Sequence, residues 1–128
     1  MSKHREKQIF LKRKLLHMEL FVTGLLQGQD LLLSVTGGEL SHIGSVSMAI
    51  PRQSLTGQGN SATVSTFVYP GHMDDKIGDL FAKELCSMLQ CHVVVTCGIH
   101  FEELSPEQLV QVELECRDML EKLKNEFI

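Results

Sequence analysis

The sequence predicts an α/β (α+β) fold in which an antiparallel meander is extended by a β-α-β unit, and two long helices pack on one face of a single sheet. Two patterns lead to this prediction. In the first half of the chain, four apolar runs alternate with polar residues, which is typical of half-buried strands. In the second half, apolar residues recur at helical spacing on both sides of one continuous apolar run.

The four alternating runs follow one another through short, turn-rich links, as the strands of an antiparallel meander do. They cover Met18–Val22, Leu31–Val35, Val46–Ile50 and Ala62–Val68. Between the second and third runs, Gly37–Gly44 is expected to be the turn of a β-hairpin. The third and fourth runs carry Ser, Thr and Ala on one face, which is either exposed to water or covered by something flat, such as a second subunit or a planar ligand.

The second half of the chain predicts a helix, a strand and another helix. The first helix begins near Met73, where apolar residues start to recur at helical spacing. The continuous apolar run Cys91–Gly98 predicts a strand that is buried on both faces. The second helix is expected to begin with Ser105 as its N-cap, Pro106 in its first turn and Gln108 completing a capping box.

A chain of 128 residues is long enough for one domain with a single core. We assign residues 17–128 to a single α/β domain and residues 1–16 to a basic N-terminal extension, which holds six of the twelve Lys and Arg residues. This extension is either a solvated arm, with or without a short helix, or an arm that seeks phosphate groups or a membrane surface.

Composition and charge narrow the classes of function. A net charge of −4 argues against a nucleic-acid-binding protein. No apolar run approaches the roughly 20 residues that span a bilayer, and the N-terminus lacks the apolar core of a secretory signal. The four cysteines form no CxxC pair and are expected to stay reduced. We therefore expect a cytoplasmic protein.

Three glycine-histidine segments are predicted to meet at one edge of the sheet. The segment 37–44 follows the second predicted strand, and 70–75 follows the fourth. If the fourth and fifth strands are parallel, the segment 98–103 ends at the same edge. The first helix also begins there, and the N-terminus of a helix attracts anions.

This edge could hold a metal ion or a phosphate. The candidate metal ligands are three histidines, His42, His72 and His100. Glu39, Asp74 or Glu102 would be a fourth ligand or a hydrogen-bond partner of the ligands. Alternatively, the glycine-rich backbone and the helix N-terminus would bind a phosphate, with the histidines as donors. No catalytic triad or nucleophile elbow is present, so whether the protein is an enzyme stays open.

The three segments resemble motifs of a known family. The motifs are Gly37-Gly38-Glu39 with His42-Ile43-Gly44, Pro70-Gly71-His72 with Asp74-Asp75, and Gly98-Ile99-His100. They are similar to the small D subunit of gallate-type hydroxyarylic acid decarboxylases, a prenylated flavin chaperone-like family whose fold is similar to that of proteasome assembly chaperones. The resemblance extends from about Gly28 to Glu103.

The resemblance implies an accessory protein that binds prenylated FMN, or FMN, and hands it to the large subunit of a decarboxylase. The implied cofactor-binding residues are Gly37, Gly38, Glu39, His42, Gly71, His72 and His100. It also makes His42, His72 and His100, with Glu39 and Asp74, candidate ligands of a divalent metal such as zinc, manganese or iron. A homodimer is expected. The alternatives are a protein-binding assembly chaperone without a cofactor and a small metal-dependent hydrolase.

Overall fold

The computed structural model describes residues 7–69 and 74–128. These residues form six strands and two helices. The helix, strand and helix of the second half of the chain occur as the sequence predicts, and the first half contains one strand more than predicted, at its start. The elements are β1 (Lys7–Leu15), β2 (Met18–Gln27), β3 (Asp30–Gly38), β4 (Ser45–Gln53), β5 (Asn60–Val68), α1 (Asp74–Leu89), β6 (Val93–His100) and α2 (Pro106–Asn125).

All six strands belong to one mixed sheet with the order β1-β2-β3-β6-β4-β5. Strand β6 lies between β3 and β4, parallel to β3 and antiparallel to β4. The predicted fold class is confirmed, since antiparallel neighbours are combined with a parallel unit and both helices pack on one face. The predicted hairpin between β3 and β4 is wrong. The apolar run of β6, which needs pairing on both sides, separates these two strands, so the segment 39–44 crosses the end of β6.

The segment Lys7–Leu15 is an edge strand, so the short helix considered for this segment is wrong. It pairs with β2 along its whole length, and the turn between them passes through Leu16 at a φ of 54°. Ile9 and Leu15 are buried in the core, and Arg13 reaches Glu115 of α2 at 2.9 Å. The three consecutive basic residues 12–14 conceal this two-residue period in the sequence, because Arg13 points inward with the apolar side chains.

The core lies between the sheet and the two helices. Strand residues such as Val22, Val35 and Val95 pack under Phe81 of α1 and Met119 of α2, and all five are fully buried. The second helix begins as the sequence predicts. Its capping box is complete, because the Ser105 hydroxyl accepts from the amide of Gln108 and the Gln108 side chain accepts from the amide of Ser105.

Strand β4 buries its small residues and exposes its large ones. Ser45, Ser47 and Ala49 face α1 and are buried, whereas Met48 is 57% exposed. The cause is the close approach of α1 at Gly78, where an added Cβ would lie 3.1 Å from Ser47 Oγ. The small-residue face of β4 is therefore covered by a helix of the same chain, which differs from both expectations, a wet face and a face that binds a flat partner.

Neither helix of the described residues is long and apolar enough to cross a membrane.

Candidate functional site

The structure brings together residues from all three predicted segments at the end of β3 and β6. We call the cluster of His17, Glu39, His42, Asp74 and His100 the histidine edge. Within it, the rings of His42 and His100 lie 6.2 Å apart, measured between centroids, with their planes at 83°.

The contributions of the predicted residues differ. Gly38 pairs with His100 in the ladder between β3 and β6, and the amide of Glu39 donates to the carbonyl oxygen of His100 at 2.6 Å. Gly37 pairs with Ile99 one position earlier. The predicted site residues Gly71 and His72 lie outside the described residues, so the second segment is represented at the histidine edge by Asp74.

Glycines at this edge allow segments to approach one another closely. Gly38 has a φ of 79°, and a Cβ there would overlap the carbonyl oxygen of His100. A Cβ on Gly98 would overlap the carbonyl oxygen of His42, and one on Gly44 would overlap the Asp74 carboxylate. Each of these contacts joins two different segments, so the glycines are needed for the convergence itself.

Asp74 connects three elements from a buried position at the start of α1. Its Oδ1 accepts a hydrogen bond from the amide of Ile99 at 2.9 Å. Its Oδ2 lies 3.2 Å from Nε2 of His42, whose Nδ1 lies 3.2 Å from the carbonyl oxygen of Leu40. Both ring nitrogens of His42 therefore face oxygen atoms, and His42 would have to give up one of these contacts to bind a metal ion.

Glu39 forms a second connection, closer to the surface. Its Oε1 accepts from the amide of Glu102 at 2.7 Å, and its Oε2 lies 3.0 Å from Nε2 of His17. These two contacts lower the pKa of Glu39, the backbone hydrogen bond from Glu102 most strongly and His17 next. The carboxylate thus stays ionised and holds the end of β6 against the turn between β1 and β2.

His17 is a member of the site that sequence reasoning missed. It lies in the turn after Leu16, and its ring packs edge-on against Phe101 with centroids 5.6 Å apart. The turn between β1 and β2 is at the same end of the sheet as Gly38, because β2 runs antiparallel to both of its neighbours. Identifying β1 as a strand would have placed His17 here.

A shallow cavity of about 540 Å³ opens beside the histidine edge. It combines a lysine ammonium group, an imidazole and an aromatic ring, the side-chain types that suit a ligand with both a phosphate and a flat ring. Its lining residues are Lys14, His17, Met18, Glu19, Phe21 and Gly38. The charged groups of the lining are thus one ammonium group, from Lys14, and one carboxylate, from Glu19.

The structure offers less support for a metal ion or a thiolate. Among residues 7–69 and 74–128, no group of three or more His, Cys, Asp or Glu side chains is arranged to hold a metal ion. All four cysteines are buried. Burial raises the pKa of the Cys97 thiol far above its usual range and that of Cys116 to about 12. Cys97 is therefore a packing residue and not a nucleophile at neutral pH.

Comparison with known proteins gives three similarities. Residues 14–128 match the family model described as the prenylated flavin chaperone LpdD-like domain. Protein LpdD of Lactiplantibacillus plantarum is 33% identical over 84 residues, which are 64% of this chain and 57% of that protein, so the match spans little more than half of the relative. A solved chaperone complex for yeast 20S proteasome assembly has a similar fold, with a TM-score of 0.60, 19% identity and coverage of 94% of this chain and 96% of that chain.

Proposed function

We propose that this chain, which belongs to the family of prenylated flavin chaperone LpdD-like domains, binds prenylated FMN at the histidine edge and delivers it to a hydroxyarylic acid decarboxylase. This membership confirms the family resemblance that the three glycine-histidine motifs predicted. The position of the flavin and its delivery to a decarboxylase are the parts that we propose.

The observation that carries the proposal is the position of the cavity next to the histidine edge. Lys14 supplies a cation for the phosphate, and Phe21 supplies an aromatic surface for the flavin ring. His17 and His100, which have partly exposed side chains, are suited to hydrogen-bond the polar edge of the ring. A cofactor carrier needs such contacts to hold its cargo, and an open site from which the cargo can leave.

The hydrogen bonds within the histidine edge would hold His17 and His100 in position to bind the flavin. Asp74 and Glu39 hold the segment 39–44 and the end of β6 in place. Because these segments are already fixed before the cofactor binds, less conformational entropy is lost on binding. Neither carboxylate needs to contact the flavin, and its negative charge would disfavour a nearby phosphate. We therefore assign a positioning role to Glu39, and to Asp74 in the absence of a metal.

A divalent metal such as zinc, manganese or iron is a second part of the proposal. His42 and His100 already lie side by side, and Asp74 supplies an oxygen next to His42. His72 would complete the predicted set of ligands. A metal would add a direct link between the protein and the phosphate of the flavin, since divalent cations bind phosphate oxygens.

Two measurements test the cofactor proposal. Protein purified without a histidine tag is analysed for metals and then titrated anaerobically with reduced prenylated FMN, FMN and riboflavin. We expect near-stoichiometric binding of reduced prenylated FMN, and weaker binding of riboflavin because it lacks the phosphate. If none of the three flavins binds, with or without added metal, the cofactor proposal is wrong.

A transfer experiment separates a carrier from an enzyme. Loaded protein is mixed with the cofactor-free large subunit of a hydroxyarylic acid decarboxylase, and decarboxylation is measured against the same amount of free cofactor. A carrier is expected to activate the decarboxylase faster than the free cofactor does and to show no turnover alone. Equal activation by the free cofactor, or decarboxylation by the chain alone, would contradict the proposed role.

An assembly chaperone that binds a protein and no cofactor is the second candidate. The observation that favours it is the sheet face opposite the helices, which exposes several large apolar side chains. Absence of flavin binding, together with a stable complex with the decarboxylase subunit, would make this function the better account.

A further inference from the structure

We propose that the N-terminal half of α2 is the surface that docks the flavin-receiving enzyme, through an apolar patch bordered by glutamates. This rests on the proposed function, since the partner is the enzyme to which the flavin is delivered. The patch, which we call the α2 patch, consists of Leu109, Val110 and Leu114, whose exposed fractions are 50%, 59% and 51%. A lone exposed apolar side chain is ordinary, whereas several close together usually mark an interaction surface.

The α2 patch is exposed because only the second half of α2 is buried in the domain. The buried residues of this helix lie between residues 116 and 123. The first ten residues, about 15 Å of helix, touch the domain along one side. On that side Val112 is partly buried against the core, and Glu115 pairs with Arg13 of β1 at 2.9 Å. These contacts hold the helix in place and leave the α2 patch in contact with solvent.

The geometry of the helix makes the α2 patch a continuous strip. Val110 and Leu114 lie one turn apart on the same face, because side chains four residues apart are neighbours on a helix. Glu107 shares this face, three residues before Val110. The first turn is fixed by the complete capping box at Ser105. The patch is therefore formed before a partner binds, which lowers the entropy lost on binding.

The start of α2 is connected directly to the histidine edge. Strand β6 ends at His100 and α2 begins at Pro106. The segment between them is fixed to the histidine edge, because Glu39 accepts a hydrogen bond from the amide of Glu102 at 2.7 Å. A partner that binds the first turns of α2 is therefore placed at the end of the sheet where we propose that the flavin binds.

The charge around the α2 patch selects the kind of partner. The segment 102–115 contains five glutamates and no lysine or arginine, and the glutamates are Glu102, Glu103, Glu107, Glu113 and Glu115. Three of them, at 102, 103 and 107, are exposed. Because like charges repel, this surface disfavours a second copy of the chain, an anionic membrane and a nucleic acid. It favours a protein surface that has basic residues around an apolar centre.

An enzyme that receives a flavin phosphate is expected to carry such a surface. Proteins bind phosphate groups with lysine, arginine and helix N-termini, so the entrance to a flavin phosphate site is electropositive. The glutamates at the start of α2 would steer the carrier toward this entrance, since opposite charges accelerate association. The α2 patch would then hold the two proteins together during transfer by burying apolar surface.

Isothermal titration calorimetry tests the docking surface without flavin. The chain is titrated into the cofactor-free large subunit of a hydroxyarylic acid decarboxylase. We expect wild-type protein to bind, and to bind more weakly as the salt concentration rises, because salt screens the opposite charges. The double variant Val110→Gln/Leu114→Gln should bind at least about tenfold more weakly. Glutamine is a good helix former and both side chains are exposed, so the helix is retained, as circular dichroism verifies.

A charge variant and two matched controls complete the titration. Glu107→Lys should weaken binding about threefold at low salt and reduce its salt dependence. Leu55→Gln alters an apolar side chain that is 91% exposed in the loop between β4 and β5. Glu126→Lys makes the same charge change at an exposed position at the other end of α2. Both controls are expected to bind as wild-type protein does.

Two results would overturn the proposed docking surface at once. One is a wild-type chain that does not bind the decarboxylase subunit, and the other is equal binding by wild-type protein and Val110→Gln/Leu114→Gln. Self-association of the chain that this double variant abolishes would assign the α2 patch to a second copy and would also overturn it.

An anaerobic titration with reduced prenylated FMN separates this proposal from the proposed function. The double variant is expected to bind the flavin as tightly as wild-type protein does, because the α2 patch is not part of the cavity. Wild-type protein that docks through the α2 patch but binds no flavin would contradict the proposed function and not the docking surface.

Discussion

The two ends of β6 carry the same chemical groups in different surroundings. At its start, His92 meets Asp30 with their side chains 3.7 Å apart and both largely exposed. At its end, His100 lies in the histidine edge beside His42, whose partner Asp74 is buried. The first pair joins two neighbouring strands, whereas the histidine edge joins two strand ends, a helix and two connecting segments. What distinguishes a candidate site is therefore the burial and the connectivity of its groups, and not their identity.

The largest expected difference between the two ends is in the free energy of unfolding that is lost when the aspartate at each end, Asp74 or Asp30, is replaced by alanine. Asp74→Ala deletes a buried acceptor that bonds the amide of Ile99 and contacts His42, so we expect a loss of about 2–3 kcal/mol in the free energy of unfolding. Asp30→Ala, the control, removes exposed contacts to His92 and should cost less than about 1 kcal/mol. Urea denaturation measures both. Equal losses would mean that the histidine edge is no more connected than the opposite end.

A smaller effect is expected from adding a methyl group to a glycine. Gly98→Ala places a Cβ against the carbonyl oxygen of His42, so the segment 39–44 must move, at a cost of about 1–3 kcal/mol. Gly28→Ala at the opposite end meets no atom within 4 Å, although its φ of 65° causes strain of about 1 kcal/mol. Thermal unfolding compares the two variants. A greater loss from Gly28→Ala would contradict the close packing at Gly98.

The sequence predicted the convergence at the histidine edge but not the route by which it forms. The directions of β3, β5 and β6 follow from alternation and from the helical crossover, so Gly38 and His100 could be placed at one end. The position of β6 between β3 and β4 could not be predicted, because pairing partners are chosen by contacts distant in the sequence. Periodicity alone also cannot show that α1 covers the serine face of β4, since this depends on the close approach at Gly78.

The β1 strand shows a second limit of sequence patterns. Its inward-facing positions include Arg13, which is stabilised by Glu115 of α2, about a hundred residues later in the chain. A charged residue at an inward position breaks the apolar alternation that identifies strands. Without β1 there is no turn at residues 16 and 17, and without that turn His17 cannot be assigned to the site. Because Arg13 breaks the apolar alternation, sequence analysis misses both the strand β1 and the position of His17 at the histidine edge.

The smallest expected effect is a pH dependence at Glu39. Its contacts lower its pKa in the folded protein below 4.5, so they stabilise the folded state above the unfolded pKa, and this stability is lost as the pH falls through the folded pKa. Wild-type protein should therefore be more stable than Glu39→Gln near pH 7, with a difference that shrinks below about pH 4.5. Denaturation curves at several pH values measure it, with Glu103→Gln as the control. A difference that grows as the pH falls would contradict the assigned ionisation.

The most direct test of the central claim compares the two ends of β6 in binding. Wild-type protein, His100→Ala and His92→Ala are titrated anaerobically with reduced prenylated FMN, and circular dichroism verifies that each is folded. If the histidine edge holds the cofactor, His100→Ala should weaken binding up to about tenfold, as for one lost hydrogen bond to the flavin ring, and His92→Ala should leave it unchanged. Unchanged binding by folded His100→Ala, or equal weakening by both variants, would contradict the assignment of the cofactor to this edge.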